Sequence, residues 1–158
     1  MEWPERTDSA EWCANFFAGR NGPAPQSSAH ACVDVDSIVQ CVPWDRVAWH
    51  APGANQYGIG IEHAGYAKQT GSNWLDVYST KMLDLSAWLA GELCMKFNIP
   101  VDFVDADGLL AGHSGITTHA ECTKAFPGKS KHWDPGPGFP LGTYLRSVAR
   151  YAGDVGMV

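Results

Sequence analysis

The chain has 158 residues, of which 45% are apolar and 18% charged, and its formal net charge is -6. This length and apolar fraction are enough for one domain with a buried core. An acidic chain is poorly suited to neutralising phosphates, which argues against a nucleic-acid-binding protein. No apolar run approaches the roughly 20 residues of a membrane span, and the N-terminus lacks the basic and then apolar pattern of a signal peptide. Composition therefore predicts a soluble single domain over residues 1–158.

The N-terminal part of the chain predicts a helix followed by a hairpin. Asp8 or Ser9 can cap the helix, aromatic residues recur along it at helical spacing, and Gly19 ends it. Small and β-branched residues over 29–35 and 38–42 then flank an acidic turn, which is typical of two paired strands.

The rest of the chain predicts short strands alternating with helices. A strand over 57–62 contains two glycines, which indicate that another backbone or a ligand comes close. Helices are predicted over 74–97 and 139–151, and further strands over 101–104 and 116–118. The longer helix has one apolar stripe, formed by Leu75, Tyr78, Met82, Leu85, Leu89 and Leu93. This alternation predicts an α/β fold with a mixed central β-sheet flanked by α-helices.

The cysteines are scattered and odd in number, and none forms a C-x-x-C pair. This pattern favours small buried side chains over a redox motif, a cysteine-rich zinc site or a disulfide framework. The positions are Cys13, Cys32, Cys41, Cys94 and Cys122.

Residues that can bind a metal are concentrated near the C-terminus. His119 is followed by a loop rich in glycine and proline that carries His132 and Asp134. Zinc binds imidazole nitrogen and carboxylate oxygen, and a catalytic zinc takes three such ligands plus water. The spacing alone leaves two interpretations open, a metal site and ordinary polar groups on a surface loop.

Three sequence blocks resemble the zinc-dependent N-acetylmuramoyl-L-alanine amidases. They are Val47-Ala-Trp-His-Ala, Ile59-Gly-Ile-Glu and Asp134-Pro-Gly-Pro-Gly-Phe-Pro, in the order of that superfamily. The superfamily includes phage amidases, bacterial amidases that recycle the cell wall and animal peptidoglycan recognition proteins. The similarity spans roughly residues 8–150.

The resemblance implies a role for each residue of the predicted centre. His119 and Asp134 match metal ligands, with His119 at the end of an inner strand. Glu62 matches the carboxylate that takes a proton from the attacking water in branches without a catalytic tyrosine, and Ala29 stands where that tyrosine would be. His132 occupies the position where many members carry a lysine that stabilises the developing oxyanion.

Two further residues match the substrate-binding region. By resemblance His50 lies near the cleft and Asn55 hydrogen-bonds the peptide. For His50 a core histidine bonded to backbone is an open alternative, and for Asn55 a turn-forming residue. The side chains Trp44, Trp74 and Trp133 could stack on sugar rings or pack in the core.

One feature of the superfamily is missing from the sequence. Its first zinc histidine ends an initial core strand before the first helix, whereas the first histidine of this chain is His30, well after that helix. We therefore expect a domain truncated at its N-terminus, without the first core strand, whose first ligand is encoded upstream of Met1. Alternatively, His30 or His50 substitutes as a ligand, or the domain has lost catalysis and only binds peptidoglycan.

The function implied is hydrolysis, with Zn²⁺ as cofactor, of the amide bond between N-acetylmuramic acid and the L-alanine of the peptidoglycan stem peptide. The absence of a signal peptide fits the catalytic domain of a phage endolysin, a monomer made in the cytoplasm that degrades the bacterial cell wall after release. Two other interpretations compete with it, a catalytically impaired peptidoglycan-binding domain and an unrelated α/β domain.

Overall fold

The computed structural model describes residues 4–153, so both ends of the predicted 1–158 domain lie outside the described residues. Within that range the chain forms five α-helices, three β-strands and one turn of 3-10 helix. In chain order they are α1 Ser9–Phe17, β1 Ala31–Val33, β2 Ile38–Gln40, β3 Ile61–His63, the 3-10 turn Asn73–Leu75, α2 Val77–Phe97, α3 Ala106–Leu110, α4 His119–Ala125 and α5 Leu141–Tyr151.

The three strands form one mixed sheet with the order β2-β1-β3. β1 runs antiparallel to β2, with Cys32 opposite Val39, and parallel to β3, with Cys32 opposite Glu62. The predicted hairpin is confirmed, because β1 and β2 pair in antiparallel orientation across a short turn. The predicted mixed sheet is confirmed as well.

Helices cover both faces of the sheet. Neighbouring residues of a strand point to opposite faces, and β1 follows this rule. Ala31 and Val33 join the larger core, which α2 and α5 cover, whereas Cys32 joins a smaller core under α1. Side chains of the larger core contributed by the two covering helices are Met82, Leu83, Ala87, Leu89, Ala90, Leu93, Cys94, Tyr144 and Val148. Burial of the apolar faces of these helices provides most of the driving force for the arrangement.

The long helix α2 matches its prediction closely. Asp76 caps it by accepting a hydrogen bond from the Ser79 N–H at 2.7 Å, and Asn98 ends it in a left-handed conformation with φ 53°. Of the predicted stripe, Met82, Leu89 and Leu93 are buried, and Tyr78 and Leu85 are partly buried against the same core. Leu75 is 70% exposed and lies in the 3-10 turn that precedes α2. Although α2 is the longest helix between residues 4 and 153, neither it nor any other helix there is long and apolar enough to span a membrane.

The predicted cap of α1 is wrong. Asp8 occupies the N-cap position but its side chain makes no capping bond, and the Ser9 hydroxyl donates to the Pro4 carbonyl instead. The Ala10 N–H donates to Asp34 Oδ2 at 2.9 Å. The helix is therefore capped by a buried carboxylate from the β1–β2 turn, a partner that no local pattern at residues 8–11 can reveal.

The later strand predictions are only partly correct. β3 begins at Ile61, and the glycines before it allow a side chain to come close, since a Cβ at Gly60 would lie 2.5 Å from His50 Cγ. The predicted strands 101–104 and 116–118 form a single parallel bridge between Phe103 and Ile116. The short helices α3 and α4 follow these segments and were not predicted.

All five cysteines are free thiols, as the sequence predicted, and Cys41 is the least buried. Three of them cluster beneath α1. The Sγ atom of Cys32 lies 2.7 Å from that of Cys13 and 3.6 Å from that of Cys41. The contact with Cys13, together with burial, raises the pKa of the Cys32 thiol and outweighs the opposite effect of Cys41, so Cys32 is a protonated, structural thiol.

Candidate metal centre

The N-terminus of α4 positions the centre. Thr118 caps this helix by accepting a hydrogen bond from the Glu121 N–H at 3.3 Å. The N–H of Ala120, also in the first turn, donates to the backbone carbonyl of Asp134 at 3.0 Å. Because the loop returns to the helix at this point, the side chain of Asp134 lies beside that of His119, the first residue of α4.

Three side chains with metal-binding atoms meet here. Asp134 Oδ2 lies 3.3 Å from His119 Nδ1, and Asp134 Oδ1 lies 3.2 Å from His132 Nδ1. The two imidazole rings stack at 4.5 Å between centroids, with 13° between their planes. One ligand atom from each residue lies within 4.8 Å of the other two. The expectation that His119 ends a strand is wrong, because the strand pairing stops at Ile116 and His119 is the first residue of α4, with Thr118 as its N-cap.

Ser130 supports the two histidines, and no sequence pattern pointed to it. Its Oγ lies 3.2 Å from His119 Nε2 and accepts a hydrogen bond from the His132 N–H at 3.1 Å. A serine in a loop rich in glycine and lysine has no pattern that sets it apart from a solvated one.

The electrostatics keep Asp134 ionised. Partial burial acts to raise the pKa of this carboxyl, but the hydrogen bond and charge of His119, with a smaller contribution from His132, outweigh burial. The pKa of Asp134 is therefore below its ordinary value. The centre accordingly offers a carboxylate and two imidazoles, a donor set that suits zinc.

The three donors line an open cleft of about 690 Å³. Its rim carries two exposed indoles, since Trp49 is 65% and Trp133 52% exposed. Of the other tryptophans considered for sugar stacking, Trp74 is buried against Phe139 and Trp44 stacks on His30. Among the residues that the structure describes, the indoles that line this cleft are therefore those of Trp49 and Trp133.

His50 also lines this cleft, and Asn55 holds its loop. Asn55 Oδ1 accepts hydrogen bonds from the N–H groups of His50 at 3.0 Å and Ala51 at 2.7 Å. His50 Nε2 lies 3.1 Å from the carbonyl oxygen of Gly58 and must donate to it. Burial lowers the pKa of His50 to about 4, so its ring is neutral at pH 7.

Glu62 and His30 do not belong to the three-donor cluster. Glu62 is the central residue of β3, where its charge helps to raise the pKa of Cys32 and Cys41, and it is not among the described residues that line the cleft. His30 is 1% exposed. Its Nδ1 accepts from the Gly60 N–H at 3.0 Å and its Nε2 donates to the Arg46 carbonyl at 2.9 Å. Both ring nitrogens of His30 are thus engaged by backbone, which argues against it as a substitute ligand.

Comparisons with known proteins agree with this geometry. The family model described as N-acetylmuramoyl-L-alanine amidase matches residues 3–137, a span that includes His119, His132 and Asp134. N-acetylmuramoyl-L-alanine amidase A of Achromobacter lyticus is 31% identical over 134 residues, which cover 80% of this chain and 71% of the relative.

Solved structures show the same fold. The Staphylococcus aureus hydrolase AmiA, solved in complex with its ligand, superposes with a TM-score of 0.69 at 19% identity, covering 97% of this chain and 69% of AmiA. A mutant of PlyL gives a TM-score of 0.56 at 19% identity, covering 93% of this chain and 77% of that protein. Together with the family model and the curated relative, these matches show that the chain belongs to the N-acetylmuramoyl-L-alanine amidase family.

Proposed function

We propose that this chain is a zinc-dependent amidase domain that hydrolyses the bond between N-acetylmuramic acid and the L-alanine of the peptidoglycan stem peptide. The observation that carries the proposal is the convergence of His119, His132 and Asp134 in an open cleft. Family membership gives the reaction class, and the cleft leaves room for a glycopeptide between the indoles of Trp49 and Trp133.

The donor set fits zinc in kind and in spacing. His119 and Asp134 would hold the ion, and bound zinc supplies a nucleophile at neutral pH by lowering the pKa of water. Ser130 fixes the orientation of the His119 ring through Nε2. Such a contact from outside the ligand set keeps a metal-binding imidazole in place.

The remaining predicted residues have proposed roles around this centre. Glu62 accepts the proton of the attacking water and returns it to the leaving amine. Glu62 is the central residue of β3, and Glu62→Gln tests this role because the amide keeps the shape of the side chain but cannot take up the proton. It should lower kcat at least about a hundredfold and leave zinc affinity unchanged. Retained activity in Glu62→Gln would exclude Glu62 as the base.

His50 and Asn55 are proposed to act as a pair on the stem peptide. His50 presents a neutral ring to the cleft, and Asn55 maintains that position by bonding the backbone of residues 50 and 51. Asn55→Ala should therefore raise KM more than it lowers kcat, because it displaces a binding surface and not a reacting group.

The central experiment combines metal analysis with an assay of cleavage. Purified protein is assayed for zinc and for new L-alanine amino groups released from isolated cell wall. Wild type should bind zinc and release amino groups, whereas His119→Ala and Asp134→Ala should do neither. His113→Ala is the matched control, because His113 is exposed and outside the cleft.

The results of these two assays distinguish an active amidase from a domain that only binds peptidoglycan. Equal zinc in wild type and both variants would show that the assigned ligands are wrong. Zinc bound without hydrolysis would instead favour a catalytically impaired peptidoglycan-binding domain.

We further propose that the domain serves as a phage endolysin and acts on the wall only after it leaves the cytoplasm. The chain made in bacterial cytoplasm should then leave cells intact until the inner membrane is permeabilised, after which turbidity should fall. The His119→Ala variant serves as the control for lysis caused by permeabilisation alone. Turbidity that falls no faster with wild type than with this variant would contradict the proposal.

A further inference from the structure

A groove distinct from the cleft, the α2 groove, lies along the exposed face of α2. It has a volume of about 370 Å³ and is bordered by the β1–β2 turn and by Tyr151, the last residue of α5. The residues that α2 contributes are spaced by three or four and therefore share one face of the helix. They are Lys81, Asp84, Leu85 and Trp88. No described residue lines both this groove and the cleft of the metal centre.

We propose that the α2 groove is a second binding site and that its ligand is an uncharged sugar. The inference goes beyond the proposed function, because it assigns a ligand to residues that have no part in the metal centre. Only the source of the sugar, the glycan strand of the cell wall, rests on the proposed function.

Trp88 provides an apolar surface for the sugar ring. It is 44% exposed, and among residues 4–153 no ring stacks on its indole and no group accepts a hydrogen bond from its N–H. An aromatic surface that remains in contact with water inside a concave site is typical of a ligand-binding site. The C–H groups on one face of a sugar ring are apolar and pack on an indole, and the N–H at the indole edge can donate to a sugar oxygen.

Asp84 provides a fixed acceptor one helical turn before Trp88. Its Oδ1 accepts a hydrogen bond from Arg150 Nη2 at 2.8 Å, and its Oδ2 accepts one from the Tyr151 hydroxyl at 2.9 Å. The guanidinium of Arg150 in turn lies over the Tyr151 ring, 4.6 Å from the centroid. A carboxylate has about four acceptor positions, so Asp84 can still accept from sugar hydroxyls. Because these contacts hold the carboxylate before a ligand arrives, binding does not have to order it.

The charges around the groove favour a neutral ligand over an anion. Asp36 and Asp84 contribute two negative charges, and Lys81 and Arg150 contribute two positive ones. An anionic ligand would gain from Lys81 but would be repelled by both carboxylates. Sugar hydroxyls donate to carboxylates and accept from an ammonium group, so they match both kinds of side chain without carrying a charge.

The α2 groove and the cleft lie at opposite ends of the parallel strands. The turn that carries Asp36 follows the carboxyl end of β1, whereas His50 of the cleft packs against Gly60, just before the amino end of β3. A glycan in the groove therefore does not compete with a peptide at the metal centre. Two attachments to one polymer raise the effective concentration of substrate at the cleft.

Binding is measured on the full chain by two-dimensional ¹H–¹⁵N NMR, with the β-1,4-linked tetramer of N-acetylglucosamine as the probe. Titration of wild type should shift the indole N–H signal of Trp88 and the backbone amides of residues 81–88. In Trp88→Ala, followed through the amides of residues 81–85, affinity should fall at least about tenfold because the stacking surface is lost. Asp84→Asn should also weaken binding about tenfold, because a charged acceptor is lost.

Two variants serve as controls. Trp12 has nearly the same exposure as Trp88, 43%, but lies outside the α2 groove, so Trp12→Ala should bind the tetramer as wild type does. His119→Ala should do the same, and it keeps this test independent of the proposed zinc centre. Thermal unfolding checks the fold of each variant, and if Trp88→Ala does not fold, Asp84→Asn decides.

Three results would overturn the proposal. The first is an unshifted Trp88 indole signal in wild type. The second is equal affinity in wild type and in the folded variants at Trp88 and Asp84, because the tetramer would then bind elsewhere. The third comes from titration with inorganic phosphate: if phosphate shifts the amides of residues 81–88 and the tetramer does not, the groove binds anions and not sugars.

Discussion

Asp34 links two parts of the fold through one buried carboxylate. It is fully buried, caps α1 through Ala10, and accepts from the N–H groups of Asp36 at 3.1 Å and Ser37 at 2.8 Å. A buried donor left without its partner costs about 1–3 kcal/mol. The turn and the helix therefore depend on the same side chain.

Asp34→Ala should lower the free energy of unfolding by roughly 2–4 kcal/mol, because three backbone donors lose their acceptor at once. Urea denaturation followed by circular dichroism measures the change. Asp36→Ala, at the exposed neighbouring position, is the control and should stay within about 0.5 kcal/mol of wild type. If Asp34→Ala lowered the free energy of unfolding no more than Asp36→Ala does, the hydrogen bonds accepted by Asp34 would not stabilise the fold.

Gly136 fixes the loop that follows Asp134. It has φ 84°, and a Cβ there would lie 1.8 Å from the carbonyl oxygen of Ala67. Gly112 has a similar φ of 78° but open space around it. Comparing alanine at these two glycines therefore distinguishes the effect of a positive φ alone from that of a clash with the Ala67 carbonyl.

Gly136→Ala should displace the loop and weaken zinc binding at least about tenfold, because Asp134 is two residues away. Gly112→Ala carries only the strain of its φ and should leave zinc affinity unchanged. Chelator competition on both variants gives the comparison. If Gly136→Ala bound zinc as tightly as wild type, Gly136 would not be needed to hold Asp134 in place.

At the scale of elements, Gly91 of α2 packs against the C-terminal end of α5. A Cβ at this position would lie 2.7 Å from Tyr151 Cβ and 3.0 Å from the Ala152 nitrogen. Neither atom can move without shifting the backbone of the neighbouring segment. Glycine is therefore retained inside α2 in spite of its poor helix propensity.

Gly91→Ala should destabilise the protein by about 1–3 kcal/mol, because overpacking outweighs the gain in propensity. Gly142→Ala in α5 is the counterpart, since the nearest atom to its Cβ is the flexible Arg146 Nη1 at 3.7 Å. This second change should stabilise the protein by up to about 1 kcal/mol. Thermal unfolding of both variants should give shifts of opposite sign, and shifts of the same sign would refute the packing argument.

At the scale of the whole molecule, the fold shields the imidazoles of His63 and His50 from water, so that both stay neutral at pH 7. His63 on β3 stacks against Phe139, and its Nε2 lies 2.6 Å from Ser86 Oγ, which in turn contacts the Tyr144 hydroxyl. Burial lowers the pKa of His63 to about 4, as it does that of His50. Between pH 6.5 and about 4 the folded protein therefore binds fewer protons than the unfolded chain.

Stability should consequently fall as the pH is lowered. The contribution of both histidines is fully present above their unfolded pKa of about 6.5 and is lost as the pH falls towards 4. Urea midpoints of metal-free protein at pH 7 and 4.5 measure the loss. His63→Asn should show a smaller difference between the two pH values than wild type, whereas exposed His113→Asn should show the same one. An unchanged difference in His63→Asn would exclude this residue as the source.

Sequence periodicity predicted the helices that have a single apolar face. It could not predict a hydrogen-bond partner that lies far away along the chain. α2 was predicted because its apolar stripe is a local pattern, although its start at Asp76 was not. The cap of α1 was missed because Asp34 lies 24 residues away. α3 and α4 were missed because each is too short to show a period, and their ends depend on capping by Asp105 and Thr118.

The sequence by itself determined the fold class and the membership of His119, His132 and Asp134 in one polar segment, because both follow from local composition and from recognisable blocks. Only the tertiary structure decided how these groups meet. The bond between Ala120 and the backbone of Asp134 sets both imidazoles against one carboxylate, and bonds to backbone engage both nitrogens of His30 and one of His50. Hydrogen bonds between residues far apart along the chain have no signature in spacing, so side-chain roles that depend on them emerge only in the folded molecule.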